Sequence, residues 1–363
     1  MVLAAAGTVW LLLGTGVGGD QLDAIRTGSA LGVGLGGIVV LWLAVRRQRS
    51  TELDLLQKYE AHQLAEQVAA ASERDATSRR ITDLYAKAVD QLGSDKAPVR
   101  LGGLYALERL AQDNADRQLR QTVVNVICAY LRMPALAAEP DETQQEHEVR
   151  LTARRILEDH LRPGQNPDSP LDTFWPDIDV DLSGAILTAL NLSGCRLRNI
   201  RCTGTRFTNG VLFEHAQIGG SARFKDAEFG GDATFSEVSI AGDASFADAT
   251  FGDNAFFNVA VFGGQVDFGR ATFTGVSMFA SAKCADVVWF DKAEFGGHAT
   301  FAGVTFAEWF EEAEFAEGVN FTAFVRVDIL EADDREWPDG WVPTDDPAPL
   351  EGQQGMWVSL ARI

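Results

Sequence analysis

The sequence predicts a mixed chain: a two-helix membrane hairpin and an α-helical module, followed by a β-solenoid over the second half. Three observations carry this. Large apolar residues recur at fixed spacing from 182 to 306, two uncharged stretches open the chain, and the region between is charged, helix-forming and rich in Ala, Leu and Gln.

The periodicity is the strongest signal. From 216 to 306 one series of large residues reads Ile218, Phe229, Ile240, Phe251, Phe262, Phe273, Cys284, Phe295, Phe306. A second, interleaved series reads Phe224, Phe235, Phe246, Phe257, Phe268, Phe279, Phe290, Phe301. Nearly every member has a small residue two positions before it, such as Ala227 before Phe229 and Ala255 before Phe257. Upstream, Leu182, Leu187, Leu192, Leu197, Cys202, Phe207 and Leu212 are spaced by five, with Val180, Ala185, Leu190, Cys195, Ile200, Thr205 and Gly210 as their partners. Residues two apart in an extended chain share a face, so both members of each pair are expected inside. A chain that turns after every five residues makes one side of a square per repeat. A period sustained this long specifies stacked coils.

Leu190-Asn191-Leu192-Ser193-Gly194 and Ala249-Thr250-Phe251-Gly252 stand close to the pattern Ala-(Asp/Asn)-(Leu/Phe)-x-x. On these residues the stretch from roughly 180 to 325 resembles the pentapeptide-repeat family. The resemblance implies a right-handed quadrilateral β-helix. This chain departs from the family in alternating gaps of five and six, with the sixth residue in Gly-rich gaps such as Gly230-Gly231, Gly242, Gly252 and Gly263-Gly264. Glycine tolerates positive φ, so these gaps are expected to be widened corners that need it. Near 307–310 the period slips, then resumes at Phe315 and Phe321. At about 4.8 Å per coil, six or seven coils make a rod roughly 30 Å long.

Residues 1–19 and 27–45 carry no charge, and each is long enough to cross a bilayer as a helix. Arg46, Arg47 and Arg49 follow the second and belong on the cytoplasmic side. Residues 1–49 are therefore expected to form a transmembrane helical hairpin in the plasma (inner) membrane, with the C-terminal body in the cytoplasm. Gly32, Gly34, Gly36 and Gly37 mimic a dinucleotide fingerprint, but they sit inside an apolar span and follow no strand. Gly28, Gly32 and Gly36, like Gly14 and Gly18, let helices approach closely, within one hairpin or between copies.

Residues 50–92 contain no Gly or Pro and read as a juxtamembrane helix. Leu53, Leu56, Leu64 and Val68 make only a thin apolar stripe on it. Residues 93–162 form a helical module with helices starting at Pro98, near Arg117 and near Glu146. The run from Gln91 to Arg109 is similar to a helical segment found ahead of pentapeptide repeats, and to a HEAT-type helix pair. Residues 163–177, with Pro163, Pro167, Pro170 and Pro176, read as a linker. The fourth helix is expected to cap the first coil, because an open coil end exposes unpaired backbone. Residues 178–325 are the solenoid, and the Trp-rich tail 326–363 is expected to cover its last coil.

The net charge of −21 argues against a nucleic-acid-binding surface, which needs clustered Lys and Arg. Four scattered cysteines do not make a disulfide scaffold, and Cys195, Cys202 and Cys284 fall on inward positions, where a free cysteine packs as a small hydrophobe. The histidines His62, His147, His160, His215 and His298 lack metal-ligand spacing. Glu146-His147-Glu148 reads as a surface cluster and Glu311, Glu312, Glu314 and Glu317 as a solvated acidic face. No catalytic motif, cofactor or metal is expected.

The remaining candidate is acidic. Asp232, Asp243 and Asp253 fall in the long gaps at spacings of eleven and ten, and are expected on two opposite corners in turn, as a strip that binds a basic protein partner. This points to a non-catalytic, membrane-anchored interaction scaffold. The alternative is a DNA-mimic inhibitor of a nucleic-acid enzyme such as a type II topoisomerase, which the resemblance suggests for an acidic rod. Plain solubility accounts for the same carboxylates. Homo-oligomers through the small residues of the spans or through coil ends are a further candidate.

Overall fold

The structure of the chain is a computed structural model that describes residues 10, 21–134, 140–164, 166, 169–309, 314–315, 324–326, 341–343 and 357–362. It divides into two compact units, Met1–Arg80 and Ile81–Ile363. Helix α1, Gln21–Leu92, runs 72 residues without a break. The expected second span and the juxtamembrane helix are thus one element, because neither Gly nor Pro occurs between Gly37 and Gly93 to stop it. No helix among the described residues is long and apolar enough to cross a membrane. The first expected span lies, except for Trp10, outside the described residues. The described residues therefore give the hairpin no support. Leu64 and Val68 are exposed, as a solvated helix requires.

In the second unit three helices follow: α2 (Ala97–Gln112), α3 (Arg117–Arg132) and α4 (Pro140–His160). Pro98 sits in the first turn of α2, where its missing N–H costs nothing. The Asp116 carboxylate caps α3 by accepting from the Gln118 N–H at 2.9 Å. Leu104, Leu107, Ile127, Val149 and Ala153 turn inward to a common core with Ala88 and Leu92 at the end of α1.

The rod takes four short strands per coil. One full coil reads Ala222–Arg223, Glu228–Phe229, Ala233–Thr234, Ser239–Ile240, and these define faces one to four in order. All ladders within the coils are parallel, and Glu228 pairs with Thr250, twenty-two residues on. The first coil is shorter: Asp179 pairs with Asn199 and Leu190 with Val211. Face two is seven strands deep.

The interior is aromatic. Phe213, Phe235, Phe257, Phe279 and Phe301 form one stack with ring centroids 4.8–5.0 Å apart. Phe224, Phe246, Phe268 and Phe290 form a second, at 4.9–5.0 Å. Phe207, Phe229, Phe251, Phe273 and Phe295 form a third, and the first two meet edge to face. Each good aromatic pair adds about 0.5–1.5 kcal/mol beyond its area burial.

Three expectations need correction. The five-residue series ends at Phe207 rather than Leu212: Leu212 is 40% exposed, while Val211 and Phe213 are fully buried. Thr208-Asn209-Gly210 is the first long gap, and it shifts the inward register by one residue. Second, the glycines of the long gaps do not adopt positive φ. The left-handed residues lie at the short corners: Gly184, Gly194 and Gly204, then His215, Asp226, Glu237, Asp248, Val259, Arg270, Ser281, Lys292 and Gly303, with φ between 54° and 70°. Each sits third in a tight turn, as where the Ala227 N–H donates to the Phe224 carbonyl at 3.1 Å. The long-gap glycines serve close approach instead. A Cβ on Gly275 would stand 2.7 Å from the Asp253 carbonyl carbon and 2.9 Å from the Asn254 nitrogen, in the coil beneath. Where Ala285 and Asp286 replace Gly263 and Gly264 one coil on, the corner cannot sit as close, and it opens into one seven-residue strand, Lys283–Trp289. The period slip is visible there too: Lys283 pairs with Thr305 but Val287 with Ala307.

Third, the proline-rich linker is partly packed. Phe174 and Trp175 are buried, and Trp175 stacks on His160 at 3.9 Å with its rings nearly parallel. In the tail, Trp357–Arg362 pairs antiparallel with Phe324–Arg326 and Trp341–Pro343, while the remaining residues from 327 onward lie outside the described residues.

Two variant pairs follow. Phe257→Ala removes a ring stacked on both sides and should cost about 3–5 kcal/mol, whereas Asp253→Ala at an exposed corner should leave the melting temperature nearly unchanged; equal shifts would overturn the register. Gly275→Ala should destabilise by about 1–3 kcal/mol through overpacking. Val259→Asn should stabilise by about 1 kcal/mol, because a β-branched residue is held at φ 57° on an exposed corner. Calorimetry of the two variants with shifts of the same sign would contradict this division of the corners.

Candidate functional site

The three candidate aspartates sit at the long-gap corners. Asp232 and Asp253 lie between faces two and three, and Asp243 lies between faces four and one. The pairing of Ala233 with Ala255 places Asp232 in register with Asn254, so Asp253 stands one residue out of register with Asp232. The three therefore make no continuous row. Asp232 and Asp243 also bind the next coil, whereas Asp253 bonds only its own neighbour. Asp232 Oδ1 accepts from the Asn254 side-chain amide at 2.9 Å and from its backbone N–H at 3.3 Å. Asp243 Oδ1 accepts from the Gln265 N–H at 3.1 Å, and Asp253 Oδ1 from the Asn254 N–H at 3.0 Å. Asn254 passes the pattern on to the Val276 N–H at 3.0 Å, and Asn199 does the same for Ser221 at 2.8 Å. Side-chain oxygens thus supply the acceptors that a wide corner withholds from the coil above.

Elsewhere on the rod, charges pair along the ladder. Arg206 grips Glu228 through two contacts at 2.6 and 3.0 Å, and Arg270 grips Asp248 at 2.6 and 2.7 Å. The guanidinium hydrogen bonds hold both carboxyls below the usual carboxylate range. Arg198 pairs with Asp179, and its hydrogen bond lowers that carboxyl as well.

At the N-terminal end the helical module closes the first coil with side chains that imitate a missing strand. The Gln121 amide donates to the Asp179 carbonyl and accepts from the Asp179 N–H, both at 2.8 Å. Glu158 Oε1 accepts from the Asn191 N–H at 2.9 Å, and Arg154 donates to the Ala189 carbonyl at 2.8 Å. The Arg196 N–H reaches the Leu161 carbonyl at 2.7 Å. Burial holds the Glu158 carboxyl above the usual range despite the Asn191 N–H and Arg154. Glu146, expected on a solvated face, is buried instead: Arg100 donates to it at 2.9 Å and the Tyr130 hydroxyl at 3.0 Å. Burial, then the Glu146 charge, pushes the Tyr130 hydroxyl up to about 12. Arg150 spends its donors on the carbonyls of Tyr130, Leu131 and Met133, closing the end of α3, and on Ile186 in the rod. Sequence reading missed this cluster, because its partners come from three helices and one coil.

Two recesses adjoin it. One of about 640 Å³ lies between the end of α1 and helices α2 to α4, beside Arg100, Tyr130 and Glu146. Another of about 430 Å³ lies between α3, α4 and the first coil, at Ile186. In both, Glu146 is held by Arg100 and the Tyr130 hydroxyl, with Arg150 beside it. The four cysteines are buried and free, and burial raises every thiol, Cys128 and Cys195 to about 12. His160 is spoken for at both ring nitrogens, by the Thr173 carbonyl at 2.6 Å and Glu108 at 2.9 Å. Among the described residues no three His, Cys, Asp or Glu side chains converge to hold a metal.

Residues 192–239, 203–250 and 213–261 match, as three overlapping windows, the family model for pentapeptide repeats in nine copies. No curated protein and no solved structure matches the chain. The matched windows fall on coils whose inward pairs, short left-handed corners and stacked rings are described above. The rod of this chain is a pentapeptide-repeat β-solenoid.

Proposed function

We propose that the chain is a non-catalytic interaction scaffold, anchored at the plasma (inner) membrane and presenting its solenoid to a basic protein partner in the cytoplasm. The observation that carries the scaffold reading is the rod itself. Its interior is filled with rings, its ladders are satisfied coil to coil, and what it offers outward is a long, rigid, charged surface. Solenoids use such surfaces for binding. The net charge of −21 selects a partner of opposite sign.

The anchoring part rests on α1. Ile38, Val40, Leu41, Trp42 and Leu43 are each more than half exposed, on all sides of the helix. Such a surface calls for an apolar cover. Arg46, Arg47 and Arg49 follow it directly, and Arg46 lies over the Trp42 ring at 5.3 Å. Aromatic and basic residues at the end of an apolar stretch suit a membrane interface on the cytoplasmic side. A duplex mimic is less well served by the geometry. It needs unbroken rows of free charge, whereas Asp232 and Asp243 stand on opposite corners and Asp248 and Glu228 are neutralised by arginine.

Capture from a lysate on the full-length chain should retain a basic protein at about 0.05 M salt and release most of it at about 0.5 M, where the screening length is severalfold shorter. A partner held unchanged at high salt would remove the acidic surface from the account, and a captured topoisomerase would favour mimicry. A C-terminal reporter should be active in the cytoplasm; activity only on the outer side of the membrane would overturn the localisation.

A further inference from the structure

Arginine on this rod follows a rule that two residues break. Arg206 and Arg270 each take a carboxylate one coil away, Arg198 takes Asp179, and Arg196 takes the Gln217 amide. Arg201 and Arg223 are exposed, and neither guanidinium makes a hydrogen bond or a close ion pair among the described residues, although the Arg201 charge acts on the Asp181 carboxylate from a distance. They are also ladder partners, Arg201 opposite Arg223 on face one. Below Arg201 the ladder offers Asp181, but its oxygens are taken: Oδ1 by the Ser183 N–H and hydroxyl, Oδ2 by Arg132 at 3.2 Å. Above Arg223 the ladder offers only Ser245. Like charges in register destabilise a sheet, and this chain, with 52 acidic residues, has acids to spare for pairing. A shallow recess of about 410 Å³ opens beside the pair, lined also by Asn199, Ser221 and the carboxylates of Asp179 and Asp181, which Arg198 and Arg132 engage.

We propose that Arg201 and Arg223 form a docking site on face one for an acidic helical segment of a partner protein. Charge complementarity and spacing select this occupant. The two guanidinium groups leave the backbone one coil apart, about 4.8 Å. Carboxylates three or four residues apart on a helix stand about 5–6 Å apart at their Cβ atoms. Each guanidinium then meets its own carboxylate in a two-pronged pair, the geometry in which arginine binds best. A duplex carries one charge about every 1.7 Å, and the many carboxylates elsewhere on the rod repel so extended a polyanion. The site is separate from the acidic corners, so either reading fails without the other.

The test uses the full chain and a labelled helical peptide with glutamates at i and i+4, read by fluorescence anisotropy at low salt. Arg201→Gln/Arg223→Gln should weaken binding at least tenfold, and each single change severalfold. The double variant should also melt no lower than the parent at low salt, since it relieves a repulsion, and any gain should shrink as salt is added. Equal peptide binding by parent and double variant overturns the proposal. A lower melting temperature of the double variant also overturns it, because the arginines would then serve the fold. Inorganic phosphate displacing the peptide at equal charge concentration would overturn the choice of occupant and make this a phosphate site.

Discussion

Everything in the rod depends on one constraint: each residue must sit over its counterpart one coil away. The parallel ladders fix that distance near 4.8 Å, and the ring centroids follow it at 4.7–5.3 Å along the stacks. Near-parallel rings at this separation fall in the offset-stacked range that aromatic pairs prefer. Alternate faces contribute rings at right angles, as between Phe235 and Phe246, so that neighbouring stacks interlock edge to face. The small residue two positions earlier, such as Ala233 or Ala244, leaves room for the ring. The core therefore gains from every additional coil, and no coil could bury its own face alone.

The same constraint explains the corners. At short corners the chain turns tightly, and the third residue takes a left-handed φ whatever its identity, so His215, Glu237 and, under strain, Val259 stand where glycine would fit most easily. At wide corners the backbone bows inward onto the coil below, and it is there that a Cβ is excluded, as at Gly275. The two coil ends are the complementary problem. At the first coil, Gln121, Glu158 and Arg154 hold Asp179, Asn191 and Ala189 in place of a preceding strand, which turns a helical module into the end plate of a sheet.

The large inward residues were legible because their period is written in one residue type. Phe229, Phe251 and Phe273 announce their own register, and the structure stacks them in that order. What failed did so for physical reasons. The spacing points to Leu212 as inward because spacings of five and six differ by one position, and only the neighbouring Phe213 reveals the shift. Glycine was credited with positive φ because that is its commonest use, yet close approach is an equally good reason for glycine and leaves the same mark in a sequence. The burial of Glu146, and of Trp175 within the 163–177 segment, is not legible from charge or proline content, because it depends on Tyr130, Arg100 and His160 from other elements. The candidate aspartates lie at the long-gap corners, and that Asp232 and Asp243 hold groups of the next coil could not be read from spacing.

Stacking in register also decides what a charged surface on such a rod can do. A side chain on one face has two fixed neighbours, above and below, and these set whether its charge is spent inside the rod or offered to another molecule. Arg206 over Glu228 is spent. Asp232 is half spent, with one oxygen on Asn254. Arg201 under Arg223 forms no hydrogen bond with its guanidinium and acts on Asp181 only through its charge. Counting acidic residues therefore overstates the acidic surface, because ladder partners remove charges in pairs and corner duties occupy carboxylate oxygens. Net charge governs the long-range attraction that brings a partner near. The residues whose ladder partners leave their charge unpaired decide where it is held, and on this rod the clearest of them are Arg201 and Arg223.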